Sequence, residues 1–193
     1  MNPLWILHTG RLRLTPVNGI DLPDLRRIKA DPRVFAIMLG GVRDAQQTQD
    51  ELARDVIAWG RDGYGIWTIR DAGTGAFVGI TGLEPRPDGR GVALRFALYP
   101  EAQGKGLARE AASAALRYGH DRAGLARIVA VARETNTASR LVLGGIGMTE
   151  AEAFTQGGHR MLLYESRHTG LPPPARDPGR PAARSTDAPR DGG

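Results

Sequence analysis

The stretch VALRFALYPEAQGKGLAREAASAALRYG, residues 92–119, constrains this chain more than any other. In its first part Val92, Leu94, Phe96 and Leu98 fall on one face and Ala93, Arg95, Ala97 and Tyr99 on the other, the period-two pattern of a strand. Its last part predicts a helix over 107–119, where alanines at 108, 111, 112, 114 and 115 give high helix propensity and let the helix lie close to a sheet. Between them stands the turn Gly104-Lys105-Gly106. The free N–H groups of a helix start point outward and the helix dipole adds partial positive charge, so such a place binds anions. Glycine lacks a Cβ, so a phosphate can approach the main chain closely, and Lys105 and Arg109 add charge nearby. A phosphate ester is the ligand this predicts; the plain alternative is a sharp strand-to-helix turn with no ligand. The mononucleotide pattern G-x-x-x-x-G-K-[ST] is not met, and G-x-G-x-x-G fails because residue 109 is arginine, which argues against ATP and NAD.

The rest of the chain alternates strands and helices without an internal repeat. RLRLTPV (11–17) reads as a strand, and Leu22, Leu25 and Ile28 recur at helical spacing until Pro32. A second helix is expected over 44–60, with Leu52, Val56 and Trp59 on one face and Gly60 at its end. YGIWTIR and AFVGITGL flank the turn DAGTG as a hairpin, and PRPDGRG is another turn. RIVAVA (127–132) is the unbroken apolar run of a strand covered on both faces, TASRLVL a short helix stopped by Gly144 and Gly145, and two strand-like pieces follow at 149–155 and 159–166.

With 193 residues, 41% hydrophobic and 24% charged, the chain suits one domain, expected over 1–169. Residues 170–193, GLPPPARDPGRPAARSTDAPRDGG, carry almost no large apolar group and are expected to be a disordered tail. The absence of cysteine excludes disulfides, thiolate metal clusters and a cysteine nucleophile, and no leader or membrane-length apolar run is visible, so a cytoplasmic protein is expected. His8, His120, His159 and His168 show no ligand spacing, and no metal is expected. A charge of +5 and a pI near 10.2 permit a polyanionic ligand, but the basic residues form no aromatic-interleaved stripe for nucleic acid.

Gln103-Gly-Lys-Gly-Leu-Ala108 resembles the Q/R-x-x-G-x-G/A signature of the GNAT acetyltransferase superfamily. The strand ending in YPE, the continuation REA, and ARETNTASRLVLGGIGM agree with it, over about 11–166. The opening LHTGRLRLTPV and the N-x-x-S segment look most like the branch containing the RimJ and RimL ribosomal-protein acetyltransferases. The resemblance implies an α+β (α/β/α) fold. Its mixed, mostly antiparallel sheet is splayed between a fourth strand, VALRFALYP, and a fifth, RIVAVAR, to admit the pantetheine arm of acetyl-CoA. It further implies that main chain near Phe96 and Leu98 bonds the thioester and pantetheine. The N–H groups of Gln103, Gly104, Lys105, Gly106, Leu107 and Ala108 would cradle the pyrophosphate, and Asn136 would contact the cofactor arm. Asn136 has a second reading, as cap of the helix beginning near 137.

Direct transfer to a neutral amine needs an oxyanion donor, a base and an acid. The backbone N–H near Leu98 is the expected oxyanion donor; Glu84 is the candidate base because it ends a strand in TGLEP beside where the cofactor arm should emerge; and Ser139, which matches a serine of the RimJ/RimL branch where many members have a tyrosine, is the candidate acid. Glu84 also reads as an ordinary turn residue and Ser139 as a polar helix residue; Tyr99 is a reserve acid. Relatives commonly have a glutamate early in the fourth strand, where Ala93 stands here. The expected function is acetyl-CoA-dependent N-acetyltransfer to a primary amine, either a protein amino terminus or a small molecule. The alternative is a non-catalytic acyl-CoA-binding module. The expected partners are acetyl-CoA, the amine and, as a further one, a second copy of the chain, with no nucleic acid or membrane. The amine should be met by loops around 31–44 and 153–160.

Overall fold

The computed structural model describes residues 2–168; the expected tail and the domain end at 169 lie outside the described residues. One sheet of eight strands runs in the order β1-β2-β3-β4-β5-β6-β8-β7. The strands are β1 (Leu7–His8), β2 (Leu12–Pro16), β3 (Ile66–Asp71), β4 (Phe77–Pro85), β5 (Val92–Leu98), β6 (Arg127–Arg133), β7 (Thr149–Gln156) and β8 (His159–Arg167). Every neighbouring pair is antiparallel except β5 and β6. The helices are α1 (Leu22–Ala30), α2 (Pro32–Phe35), α3 (Ala45–Asp62), α4 (Leu107–Asp121) and α5 (Thr137–Gly145). Among the described residues no helix is long and apolar enough to cross a membrane.

The alternation in β5 divides the core as its sequence requires. Leu94 and Leu98 join Ala111, Ala112 and Ala115 of α4, Trp59, Trp67 and Tyr118 on one side of the sheet. Ala97 faces the opposite side, with Leu25, Ile28, Phe35 and Leu52 of α1, α2 and α3. The three alanines of α4 are fully buried, so the helix backbone lies against the strands, and a Cβ at Gly119 would stand 2.5 Å from Ile128 Cδ1. Trp67 packs edge-on between Trp59 and Tyr118, with ring centroids 4.6 and 5.1 Å away.

The ends of α3 and α5 differ from expectation, and α4 runs on past 119 to Asp121. α3 continues through Gly60 to Asp62 and stops at Gly63, which is left-handed at φ 74°. α5 includes Gly144 and Gly145, and Gly147 at φ 86° turns the chain. Glycine tolerates a helix interior at modest cost, so only the backbone angle shows which glycine ends it. The buried stripe of α3 is Thr48, Leu52 and Trp59; Val56, expected on it, is exposed. β1, a two-residue strand paired with β2, has too short a pattern for its sequence to announce.

Candidate active site

β4 and β5 are paired from Gly79 with Leu98 to Pro85 with Val92, and β6 and β8 from Arg127 with Arg167 to Arg133 with Met161. Between β5 and β6 the register holds one pair, Ala93 with Val129, beyond which the strands part. The gap opens into a cleft of about 930 Å³, bounded by β5, β6, the start of α4 and α5. The Tyr99 N–H bonds Val78 O on the β4 side, at 3.2 Å. Donors alternate sides along a strand, so the N–H groups of Phe96 and Leu98 face the gap.

Phe96, Leu98, Gln103, Gly104, Gly106, Leu107, Ala108, Asn136, Glu84 and Ser139 all line this cleft. Lys105 does not; its carbonyl accepts from Arg11 Nη1 at 2.8 Å. Gly104 and Gly106 are left-handed, at φ 72° and 73°, and a Cβ on Gly104 would meet no atom within 4 Å. Gly106 precedes α4 without any side-chain cap, so the N–H groups of the first turn stay free beside an open concavity. Arg109 and Arg133 line the same cleft. Room, free donors and cations fit the phosphates of an acyl-CoA, and the unpaired edge of β5 fits its extended arm.

The turn is braced from the far end of the sequence. Glu110, in the first turn of α4, accepts from Thr9 Oγ1 at 2.6 Å, the Arg11 N–H at 2.9 Å and Arg11 Nε at 2.8 Å. Burial pushes the Glu110 carboxyl up, but these bonds outweigh it and hold the group below its ordinary range.

Glu84 is ion-paired through Oε2 to Arg95. The two are diagonal neighbours across β4 and β5, since Arg95 pairs with Gly82 and Glu84 with Ala93. Ser139 is the third residue of α5, and its hydroxyl makes no hydrogen bond among the described residues. Asn136 caps α5, its Oδ1 accepting the Ser139 N–H at 3.1 Å, so the capping reading of this residue holds. Tyr99 is not brought to the cleft; it packs on Phe77 at 6.1 Å in the other face's core, where burial pushes its hydroxyl pKa up. Ala93 packs on Val129 and Leu163 at the wall of the cleft, so at this position the cleft is given a methyl group and no carboxylate.

The far walls of the cleft come from the loop after α2 and the β7–β8 hairpin, both on the stretches expected to meet the amine: Ile37, Met38 and Leu39 on one side, Gln156 and His159 on the other. Arg43 holds that loop, donating to the carbonyl oxygens of Leu39 and Gly41 and to Glu51, which also takes Lys29 Nζ at 2.7 Å. Sequence reasoning missed this network, the Arg11–Glu110 brace, and Asp55. The one available signal for Asp55 was its spacing, three residues after Leu52 and four before Trp59, on the inward stripe of α3.

A sheet parted beside a glycine turn with free main-chain donors is a site for a long, extended, anionic ligand. The model of the acetyltransferase (GNAT) domain matches residues 11–149, and the chain belongs to that family. FsC-acetyl coenzyme A-N(2)-transacetylase of Aspergillus fumigatus is 30% identical over 162 residues, 77% of this chain and 66% of that protein, just under two thirds of its length. An acetyltransferase from Agrobacterium tumefaciens superposes with a TM-score of 0.74 at 28% identity, covering 84% of this chain and 94% of that one. RimL, a ribosomal L7/L12 alpha-N-protein acetyltransferase in complex with coenzyme A, superposes at 0.71 with 19% identity, covering 84% and 97%. At that identity the likeness is one of fold.

Proposed function

We propose that this chain is an acetyl-CoA-dependent N-acetyltransferase that lays the thioester along the free edge of β5 and passes its acetyl group directly to a primary amine. The observation that carries the reading is the pair of gap-facing N–H groups at Phe96 and Leu98, in line with the free N–H groups at the start of α4. The first pair would hold the arm and the second the pyrophosphate, with Gln103, Gly104, Lys105, Gly106, Leu107 and Ala108 contributing main chain. The free amide nitrogen of Asn136 is available to the arm while its oxygen caps α5.

In this reading the amine nitrogen attacks the thioester carbonyl carbon, and the oxyanion that forms is met by the Leu98 N–H. A preorganised donor of this kind is worth about 3–4 kcal/mol. The C–S bond breaks, and the thiolate takes a proton from the Ser139 hydroxyl, open to the cleft, as that hydroxyl recovers one through water from the nitrogen of the tetrahedral adduct. Glu84, ion-paired on one oxygen, keeps the other for the proton of the incoming amine. The amine enters between the loop after α2 and the β7–β8 hairpin. The names of the relatives suggest two acceptor classes for this chain, a small-molecule amine and a protein amino terminus.

The Glu84–Arg95 ion pair favours a second reading, a non-catalytic acyl-CoA-binding module. One assay separates them. Free thiol released from acetyl-CoA is measured against peptides, amino acids and polyamines; release above the hydrolysis background with any amine supports the enzyme. Background release throughout, with acetyl-CoA bound, supports the module.

A further inference from the structure

Asp55 is a group that neither the fold nor the proposed transfer uses. It lies on the stripe of α3 that carries Leu52 and Trp59 into the core, and its carboxylate makes no hydrogen bond among the described residues. Facing it are Lys29 of α1, Glu51 and Arg54 of its own helix, Glu84 of β4 and Arg95 of β5. Lys29 is tied to Glu51, which Arg43 also holds, and Arg95 is tied to Glu84. These groups surround a small chamber of about 60 Å³. Glu84, Arg95, Phe96 and Met38 line both the chamber and the large cleft, so the two adjoin beside the proposed place of the amine.

Size decides what the chamber can take. A water needs roughly 10–15 Å³ of such volume, so there is room for about four waters and none for an acceptor side chain. We propose that Asp55 is the final acceptor of the proton that Glu84 takes from the amine, passed on through water in this chamber. The ammonium N–H bond breaks with its electron pair left on nitrogen, as the lone pair that attacks the thioester. The proton moves along the water and an O–H bond forms on Asp55, which returns it to solvent between turnovers. Burial, with Glu84 and Glu51 adding repulsion, outweighs Lys29 and Arg95 and pushes the Asp55 carboxyl up to about 6. It is therefore ionised at neutral pH yet basic enough to hold a proton, the balance an acceptor near operating pH requires. Asp55 acts through water and not on the substrate, and its role rests on the transfer reading above.

The test is Asp55→Asn, which keeps the shape and removes an unpartnered charge, assayed with the fastest amine of the panel. The expected result is kcat at pH 7 lowered at least tenfold, KM for acetyl-CoA unchanged and a melting temperature no lower than the parent's. The acidic limb near pH 6 should be replaced by a rate that keeps rising toward the amine's own pKa. Lys29→Gln, which removes a cation that favours the ionised form, should move the limb to higher pH. Parental kcat with the limb retained in Asp55→Asn overturns the proposal. So does a collapse of its fold, because it would make Asp55 a structural residue. A parent that binds acetyl-CoA but acetylates no amine removes the transfer reading and the relay together. An active parent matched by its Asp55→Asn variant removes the relay alone.

Discussion

Arg11 and Glu110 lie 99 residues apart and meet through the guanidinium Nε at 2.8 Å, while Nη1 of the same arginine holds the Lys105 carbonyl at 2.8 Å. One side chain thus ties the start of β2 to both the glycine turn and the first turn of α4. Its side chain is half exposed, so the ion pair itself contributes under about 1 kcal/mol to stability. Arg11→Ala should lower the melting temperature little but weaken acetyl-CoA binding about tenfold, or ~1.4 kcal/mol, by freeing the turn. Calorimetric titration checks this; unchanged affinity would mean that the turn keeps its shape unaided.

Acetyl-CoA itself should stabilise the folded chain by about 2.7 kcal/mol at a hundredfold excess over Kd, visible as a rise in melting temperature. Gly106→Val should abolish that rise. A branched side chain at φ 73° is strained and would stand where a phosphate must approach. The variant's own melting curve establishes that it folds.

Glu84→Gln and Ser139→Ala test the chemistry apart from binding. Loss of a general base or acid lowers kcat by about a hundredfold to ten-thousandfold while leaving acetyl-CoA affinity near the parent's. If both variants keep parental kcat, the proton transfers run elsewhere in the cleft, and the assignment of these two residues falls.

The long elements were legible because their periods are strong and local: β5 sorts its side chains between two cores as its alternation requires, and the alanines of α4 meet the sheet. The glycine turn before α4 was legible because it depends on main chain and on glycine, which the motif names directly. The rest depended on register and on distance. Nothing local tells that Arg95 would take one oxygen of Glu84, since that follows from pairing Arg95 with Gly82. Val56 rather than Asp55 looked inward because hydrophobicity alone picks the stripe, and at residue 55 a carboxylate occupies it.

That carboxylate leaves a mark on stability. With the folded pKa of Asp55 raised to about 6 from 3.8, the native state binds more protons than the unfolded one between those values. Its contribution therefore favours folding at acid pH and is lost as pH rises through 6, by at most about 3 kcal/mol. Stability of the parent minus that of Asp55→Asn, measured by urea unfolding from pH 4 to 7.5, should fall with pH. A flat difference would show that the carboxyl is not perturbed.

Glu51 should behave in the opposite sense. Burial pushes its carboxyl up, but hydrogen bonds from Arg43 and Lys29 prevail and hold it below the ordinary range. Its contribution is present above about pH 4.5 and is lost as pH falls below it. Glu51→Gln removes the carboxylate ion-paired to the buried Lys29, leaving it only the unbonded Asp55 nearby, and should cost up to about 3–5 kcal/mol. By releasing Arg43 it should also raise KM for the amine with acetyl-CoA affinity kept, which initial-rate kinetics with each substrate varied would separate.

The single pairing of Ala93 with Val129 leaves adjacent amides of one strand in unlike surroundings. The Tyr99 amide is locked to Val78, whereas those of Phe96 and Leu98 open on the gap. In heavy water the free protein should therefore exchange the second set at the speed of a frayed terminus, although they sit mid-sheet, while the first stays slow. Saturation with a thioester should slow all of them alike, so the loss of that odd–even beat along β5 registers occupancy amide by amide, with no need to know the amine.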